Sequence, residues 1–190
     1  MIVGVTGKYC SGKNRLTSIL TRMGFFSIDV DKIGHKILEE KKDEITKEFG
    51  NSILNPDNTV NRKNLGKQVF NNRSKLETLE KILHPSMIDE VKNTVKGKDK
   101  VVINAAVLFS MGLNEICDYI FIVKSPLISR IWRGMKRDSL STFQILKRIC
   151  TQRKLYSKLS INPVDIHTIT NIGSSSEMET DVRKIIEEKG

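Results

Sequence analysis

The chain has 190 residues, of which 38% are apolar and 28% charged, the size and composition of one globular domain with room for a sizeable core. With 32 Lys and Arg against 22 Asp and Glu its net charge is +10, a balance that suits anionic partners, either nucleic acid or a polyphosphate metabolite. An aromatic content of 6% with no basic–aromatic interleaving counts against a single-strand stacking platform, no apolar run is long enough for a membrane span, and Cys10, Cys117 and Cys150 lack the spacing of a disulfide framework or zinc site.

The first predicted element is a strand, with Ile2, Val3 and Val5 forming a β-branched run suited to a buried parallel sheet. It leads into Gly7-Lys8-Tyr9-Cys10-Ser11-Gly12-Lys13-Asn14, which keeps the spacing of a phosphate-binding loop, Gly-x4-Gly-Lys-Ser/Thr, in all but its last position. In that pattern the glycines let backbone N–H groups curl around phosphate oxygens, the lysine neutralises the β and γ phosphates, and the hydroxyl binds magnesium. Asn14 stands where the hydroxyl belongs, which weakens the metal part of the pattern. Leu16, Ile19, Leu20 and Met23 then fall at helical spacing and Gly24 ends the helix, so its N-terminal N–H groups and positive dipole end point at the anion. Cys10 lies beside Lys8 and Lys13 at that helix start, where a thiol pKa can fall; as a small residue it equally serves to fill the loop.

Phe25 to Val30 reads as a second strand, ending in Asp29-Val30-Asp31. A helix with Ile33, Ile37 and Leu38 inward follows, with a charged continuation closed by Gly50, and the Asn, Pro and Asp content of Asn51 to Asn61 marks a loop. Arg62 to Phe70 is predicted helical. Ser74-Lys75-Leu76-Glu77 is a capping box opening a helix that His84-Pro85 is expected to interrupt, with a further helical segment carrying Ile88, Val91 and Val95. The sheet resumes in Val101 to Leu108 and Tyr119 to Val123, both apolar enough to be central strands. Ser125-Pro126 opens a helix with Arg130, Arg133 and Arg137, and Ser141-Thr142-Phe143-Gln144 a second with Lys147, Arg148, Arg153 and Lys154; Ile166 to Thr170 and Glu177 to Glu188 are the last strand and helix.

In this order the signals resemble the dephospho-CoA kinase family, P-loop kinases of coenzyme A biosynthesis, over nearly the whole chain. The resemblance rests on Gly7 to Lys13, Ile28-Asp29-Val30-Asp31, Arg62 opening a helix that reaches Val69-Phe70, Leu83-His84-Pro85, Val107-Leu108-Phe109 and Asp118. It continues through Arg133-x3-Arg137-Asp138, Arg148-Ile149-x2-Gln152 and Asn171-x-Gly173. It implies an α/β, three-layer P-loop kinase fold with a mostly parallel central sheet flanked by helices. The expected single domain has a core at roughly 1–30, 100–125 and 165–190, a helical acceptor-binding region at roughly 31–99 and a helical lid at roughly 126–160.

The activity implied is ATP plus dephospho-CoA giving ADP and CoA, by phosphoryl transfer to the ribose 3′-hydroxyl, in a cytoplasmic protein with no membrane or nucleic-acid partner. On the resemblance, ATP is bound by Gly7, Lys8, Tyr9, Cys10, Ser11, Gly12, Lys13, Asn14, Arg15, Arg133, Arg137, Asn171 and Gly173, with Asn171 and Gly173 beside the adenine. Lys13 and Arg137 neutralise the transferring charge, and Asp31 is the general base. Asp31, Arg62, His84 and Arg148 serve the acceptor, and Asn14 and Asp29 are candidate Mg2+ ligands. Read without the family, an aspartate at a strand end is as readily a turn or cap, an arginine run a solvated face, and a histidine before a helix break structural.

The family's loop normally has glycines where Lys8 and Cys10 stand and hydroxyls at Asn14-Arg15, and its Pro-Leu-Leu-x-Glu has become Ala106-Val107-Leu108-Phe109-Ser110. Two other readings stay open: another P-loop nucleoside or nucleotide kinase, and a non-catalytic P-loop nucleotide binder.

Overall fold

The structure is a computed structural model that describes residues 1–70, 72–138, 164–172 and 175–189. The chain forms two compact units, one of Met1–Asp29 with Gly97–Gly190 and the other of Val30–Lys96.

In the first unit β1 (Ile2–Gly7), β2 (Phe26–Asp29), β3 (Val101–Asn104), β4 (Tyr119–Lys124) and β5 (Asp165–Thr170) form a sheet in the order β2-β3-β1-β4-β5, every pairing parallel. Parallel strands need crossover connections and cover on their faces, which is why the central strands carry runs such as Val101-Val102-Ile103, all fully buried. The helices α1 (Lys13–Arg22) and α7 (Ser175–Lys189) supply that cover. Leu16, Ile19 and Leu20 of α1 and Met178, Val182 and Ile186 of α7 share a core cluster with Val3, Val5, Val102, Phe121 and Ile169. Each such side chain contributes about 1.5–3 kcal/mol by leaving water, and this clamp fixes the direction in which α1 leaves the loop.

The third strand is shorter than the predicted run to Leu108. β3 stops at Asn104 and the chain turns, burying Ala105 and Leu108, so that an added Cβ on Gly4 would lie 2.9 Å from Leu108 Cδ2 and 3.0 Å from Cys117 Sγ. Burial pushes the Cys117 thiol up to about 12, so this sulfur stays protonated and serves as packing. Among the described residues the unit's other α-helix is α6 (Leu127–Asp138). The predicted helix with Lys147, Arg148, Arg153 and Lys154 lies outside the described residues.

The second unit contains α2 (Val30–Glu40), α3 (Lys42–Phe49), α4 (Arg62–Val69) and α5 (Arg73–Val95) around a core of Leu38, Ile45, Phe49, Ile53, Val60, Leu65 and Val69. The helix expected to run to Gly50 is broken at Lys41, whose ψ of 13° leaves the helical range and lets Ile45 and Phe49 turn into that core. Pro85 does not interrupt α5, which runs 23 residues through it. Lys81 and Pro85 are both exposed, so water can serve the carbonyl that the proline leaves without a donor. Nor is Ser74 the cap: Asn72, two residues earlier, accepts from the Lys75 N–H at 3.1 Å.

Candidate active site

The first unit's site begins where β1 hands over to α1. Gly7 lies so close to its surroundings that a Cβ there would sit 2.5 Å from Ser11 Oγ and 2.6 Å from the Val123 carbonyl. The Ser11 N–H donates to the Lys8 carbonyl at 3.0 Å, which closes the turn, and Gly12 enters the helix at φ 106°, in the left-handed region that favours glycine. Cys10 takes φ 56° without being a glycine, at a cost of about 1–2 kcal/mol. The rest of the structure must hold that strain in place.

It does so through Asn171, which follows β5 and is 3% exposed. Its Nδ2 donates to the Ser11 carbonyl at 2.8 Å, its Oδ1 accepts from Arg15 Nη1 at 2.9 Å, and its backbone N–H donates to the Lys124 carbonyl at 2.7 Å. A second brace comes from α6. Arg130 Nε donates to the Tyr9 carbonyl at 2.8 Å, while Arg133 Nη1 donates to the Cys10 carbonyl at 3.2 Å and to Ser125 Oγ at 3.0 Å. The Arg137 guanidinium lies 5.2 Å from the centre of the Tyr9 ring. Three arginines one turn apart on a single helix therefore clasp the loop at Tyr9 and Cys10, and the charge of Arg133 and Arg137 stands around its mouth.

A cavity of about 340 Å³ opens there, between loop residues 10–14 and Trp132, Arg133, Lys136 and Arg137 of α6. Lys13 Nζ donates back to the Gly7 carbonyl at 3.2 Å, which places its ammonium over the loop. Asn14 Oδ1 accepts from Nδ2 of Asn104, the last residue of β3, at 3.0 Å. Asn104 is in register with Asp29, the last residue of β2, so a carboxylate and two carboxamides gather at the carboxyl ends of neighbouring strands. In open parallel sheets that is where ligands bind. The N–H-rich helix start and the cationic rim together suit a polyphosphate, and the Asp29 carboxylate suits a cation that accompanies one.

The family model for dephospho-CoA kinase matches residues 1–174. The chain belongs to the dephospho-CoA kinase family. It is 35% identical over 194 residues to the dephospho-CoA kinase of Borrelia garinii, an alignment covering 99% of this chain and 94% of that one. It resembles the solved dephospho-CoA kinase from Campylobacter jejuni with a TM-score of 0.62 and 28% identity, over 100% of this chain and 98% of that one. A crystal structure from Thermus thermophilus shares the fold, with a TM-score of 0.83 at 24% identity over 99% and 97% of the two chains. ATP-dependent phosphoryl transfer is the chemistry of this family.

Among the residues expected at a dephospho-CoA kinase site, Cys10 to Asn14, Arg133 and Arg137 converge on the cavity. Lys8 is exposed, Tyr9 is buried under Arg137, and Arg15 braces Asn171. The hydrogen bonds of the Asn171 amide run to the loop and Arg15. Asp31 was expected at the end of a strand; β2 stops at Asp29, and Asp31 lies exposed in the first turn of α2, where its charge favours the helix dipole. It belongs to the second unit, as do Arg62, the exposed first residue of α4, and His84, half-buried within α5. Burial holds the His84 imidazole below its ordinary 6.5 against the pull of the Glu80 carboxylate. Arg148 and Gly173 lie outside the described residues.

Sequence reasoning missed Trp132, Lys136, Arg130 and Asn104. Lys136 follows Arg133 by three residues and Trp132 precedes Lys136 by four, so helical spacing placed them beside the arginines already singled out. For Asn104 the available signal was a polar side chain closing an otherwise apolar central strand.

Proposed function

We infer that the chain transfers the γ-phosphoryl group of ATP to the ribose 3′-hydroxyl of dephospho-CoA, forming ADP and CoA. The observation that carries this reading is the loop itself, braced from behind by Asn171 and clasped by α6, with Lys13 and three further cations around its mouth. In the transfer, the acceptor oxygen bonds to the γ-phosphorus as the bond from that phosphorus to the β,γ-bridging oxygen breaks, and ADP leaves. Lys13 holds the β and γ phosphates, the backbone N–H groups at the start of α1 receive the phosphate oxygens, and Arg137 with Arg133 offsets charge on the transferring group. Asp31 takes the proton of the 3′-hydroxyl, and Arg62 and His84 bind the acceptor.

Magnesium fits this site only in part. The donors present are hard oxygens, but Asn14 Oδ1 is already an acceptor for Asn104, and no cluster of three His, Cys, Asp or Glu side chains occurs among the described residues. That set suits an ion held by the nucleotide's own phosphates, water and Asp29 rather than a cage built by the protein. Bound there, the ion would screen charge on the β and γ phosphates. No helix among the described residues is long and apolar enough to cross a membrane, and the reading places the protein in the cytoplasm with its soluble substrates.

The test compares acceptors. Purified protein with ATP and magnesium is expected to turn over dephospho-CoA and leave nucleosides and nucleoside monophosphates untouched. Faster turnover of a nucleoside acceptor would replace this reading with that of a nucleoside kinase, and tight ATP binding with no turnover of any acceptor would replace it with that of a binder.

A further inference from the structure

Asn14 occupies the position at which a phosphate-binding loop carries a metal-ligating hydroxyl, and its carboxamide oxygen is engaged with a neighbour. That neighbour is fixed. Asn104 ends β3, is 7% exposed, and is held in register between Val5 of β1 and Asp29 of β2. Asn14, by contrast, is exposed and lines the cavity. The two ends of a carboxamide diverge from Cγ, so an oxygen anchored on Asn104 leaves the Asn14 NH2, with its two donors, as the end open to the cavity. An N–H donor does not ligate a cation, but it does bind a phosphate oxygen, and a hydrogen bond to a charged partner is among the stronger ones.

We propose that Asn14 is a phosphate-binding donor in place of a metal ligand, and that Asn104 is the positioning residue that orients it. The proposal rests on the nucleotide reading of the loop and adds to it a specific property: this loop holds ATP directly where a hydroxyl-bearing loop would hold it through magnesium. Asn104 acts as a selector. In the orientation the structure shows, its amide presents the NH2 to Asn14 and so receives the oxygen; an aspartate there can only accept, and would draw the NH2 of Asn14 inward and turn its oxygen to the cavity.

The experiment is calorimetric titration of ATP into the full chain, in EDTA and in magnesium, for the wild type and for Asn14→Ala, Asn14→Ser, Asn104→Ala and Asn104→Asp, with thermal melts establishing that each variant is folded. The wild type is expected to bind ATP in EDTA. Asn14→Ala and Asn104→Asp are expected to weaken that metal-free binding on the order of tenfold, the effect of losing a hydrogen bond to a charged group. Asn104→Ala, which adds no charge to repel the phosphates, moves it the same way, so repulsion alone does not account for the loss. Asn14→Ser and Asn104→Asp are expected to widen the gap between magnesium and EDTA affinities. Metal-free affinity unchanged in Asn14→Ala and Asn104→Ala overturns the proposal, as does wild-type binding that occurs only with magnesium, which leaves the kinase reading intact. No ATP binding under either condition overturns both.

Discussion

Gly12→Ala isolates the mechanical basis of the loop. Gly12 sits at φ 106°, and a Cβ there would collide with Nδ2 of Asn171, the atom that donates to the Ser11 carbonyl at 2.8 Å. The left-handed backbone adds about 1–2 kcal/mol for any side chain, and expelling Asn171 from a buried hydrogen bond adds about 1–3 kcal/mol. The sum, about 2–5 kcal/mol, corresponds in a chain of this size to a fall in Tm of roughly 4–20 °C. Because Asn171 also receives Arg15, its displacement loosens both sides of the loop, and ATP affinity is expected to drop with stability. Thermal melts of Gly12→Ala, Asn171→Ala and the double variant separate the two contributions: in the Asn171→Ala background the glycine change should cost only its backbone share, about 1–2 kcal/mol. Equal costs in both backgrounds would show that Asn171 does not fill the space over Gly12, and a Gly12→Ala protein that melts and binds ATP like the wild type would refute the whole account of the loop.

Other expectations follow from single side chains. Cys10→Gly should raise stability by about 1 kcal/mol in a melt, because it relieves φ 56°, and a lower Tm would mean that the thiol's packing outweighs the strain. Asp31→Asn should lower kcat with dephospho-CoA by about 10²–10⁴ while ATP affinity holds, which steady-state kinetics and calorimetry check together. A kcat within threefold of wild type would remove Asp31 from the role of base. For His84, a group whose pKa is depressed by folding contributes stability that is present above its unfolded value and is lost as pH falls from there through the folded value. Denaturant unfolding should accordingly give stability that is level near neutrality and declines as pH drops below the ordinary 6.5, with His84→Gln flattening the slope. A His84 ring-proton titration midpoint at or above that value would contradict the burial argument.

Much of this was legible in the chain because it is local. The β-branched strand, the spaced glycines and the helical periodicity of Leu16, Ile19 and Leu20 lie within a few residues of one another, and the structure assembles them as β1, loop and α1. Val101 to Ile103 likewise announced a central parallel strand by being apolar on both faces. What failed depended on surroundings. Pro85 reads as a breaker until the exposure of Lys81 and Pro85 lets water serve the freed carbonyl. That the Asn171 amide braces Ser11 and Arg15, more than 150 residues earlier in the chain, is set by the tertiary fold and left no local sign. Asn104 carried little sign of its importance because the partner that gives it a role, Asn14, lies 90 residues earlier in the chain.

The most direct measurement on the central claim is ³¹P NMR of the product formed when the purified chain is given ATP, magnesium and dephospho-CoA, with Lys13→Ala run in parallel. A new phosphomonoester resonance on the ribose 3′-oxygen, appearing in step with ADP and lost in Lys13→Ala, is the expected result. ADP formed without that resonance, or the same product at an undiminished rate from Lys13→Ala, would contradict the assignment of this loop as the site of transfer.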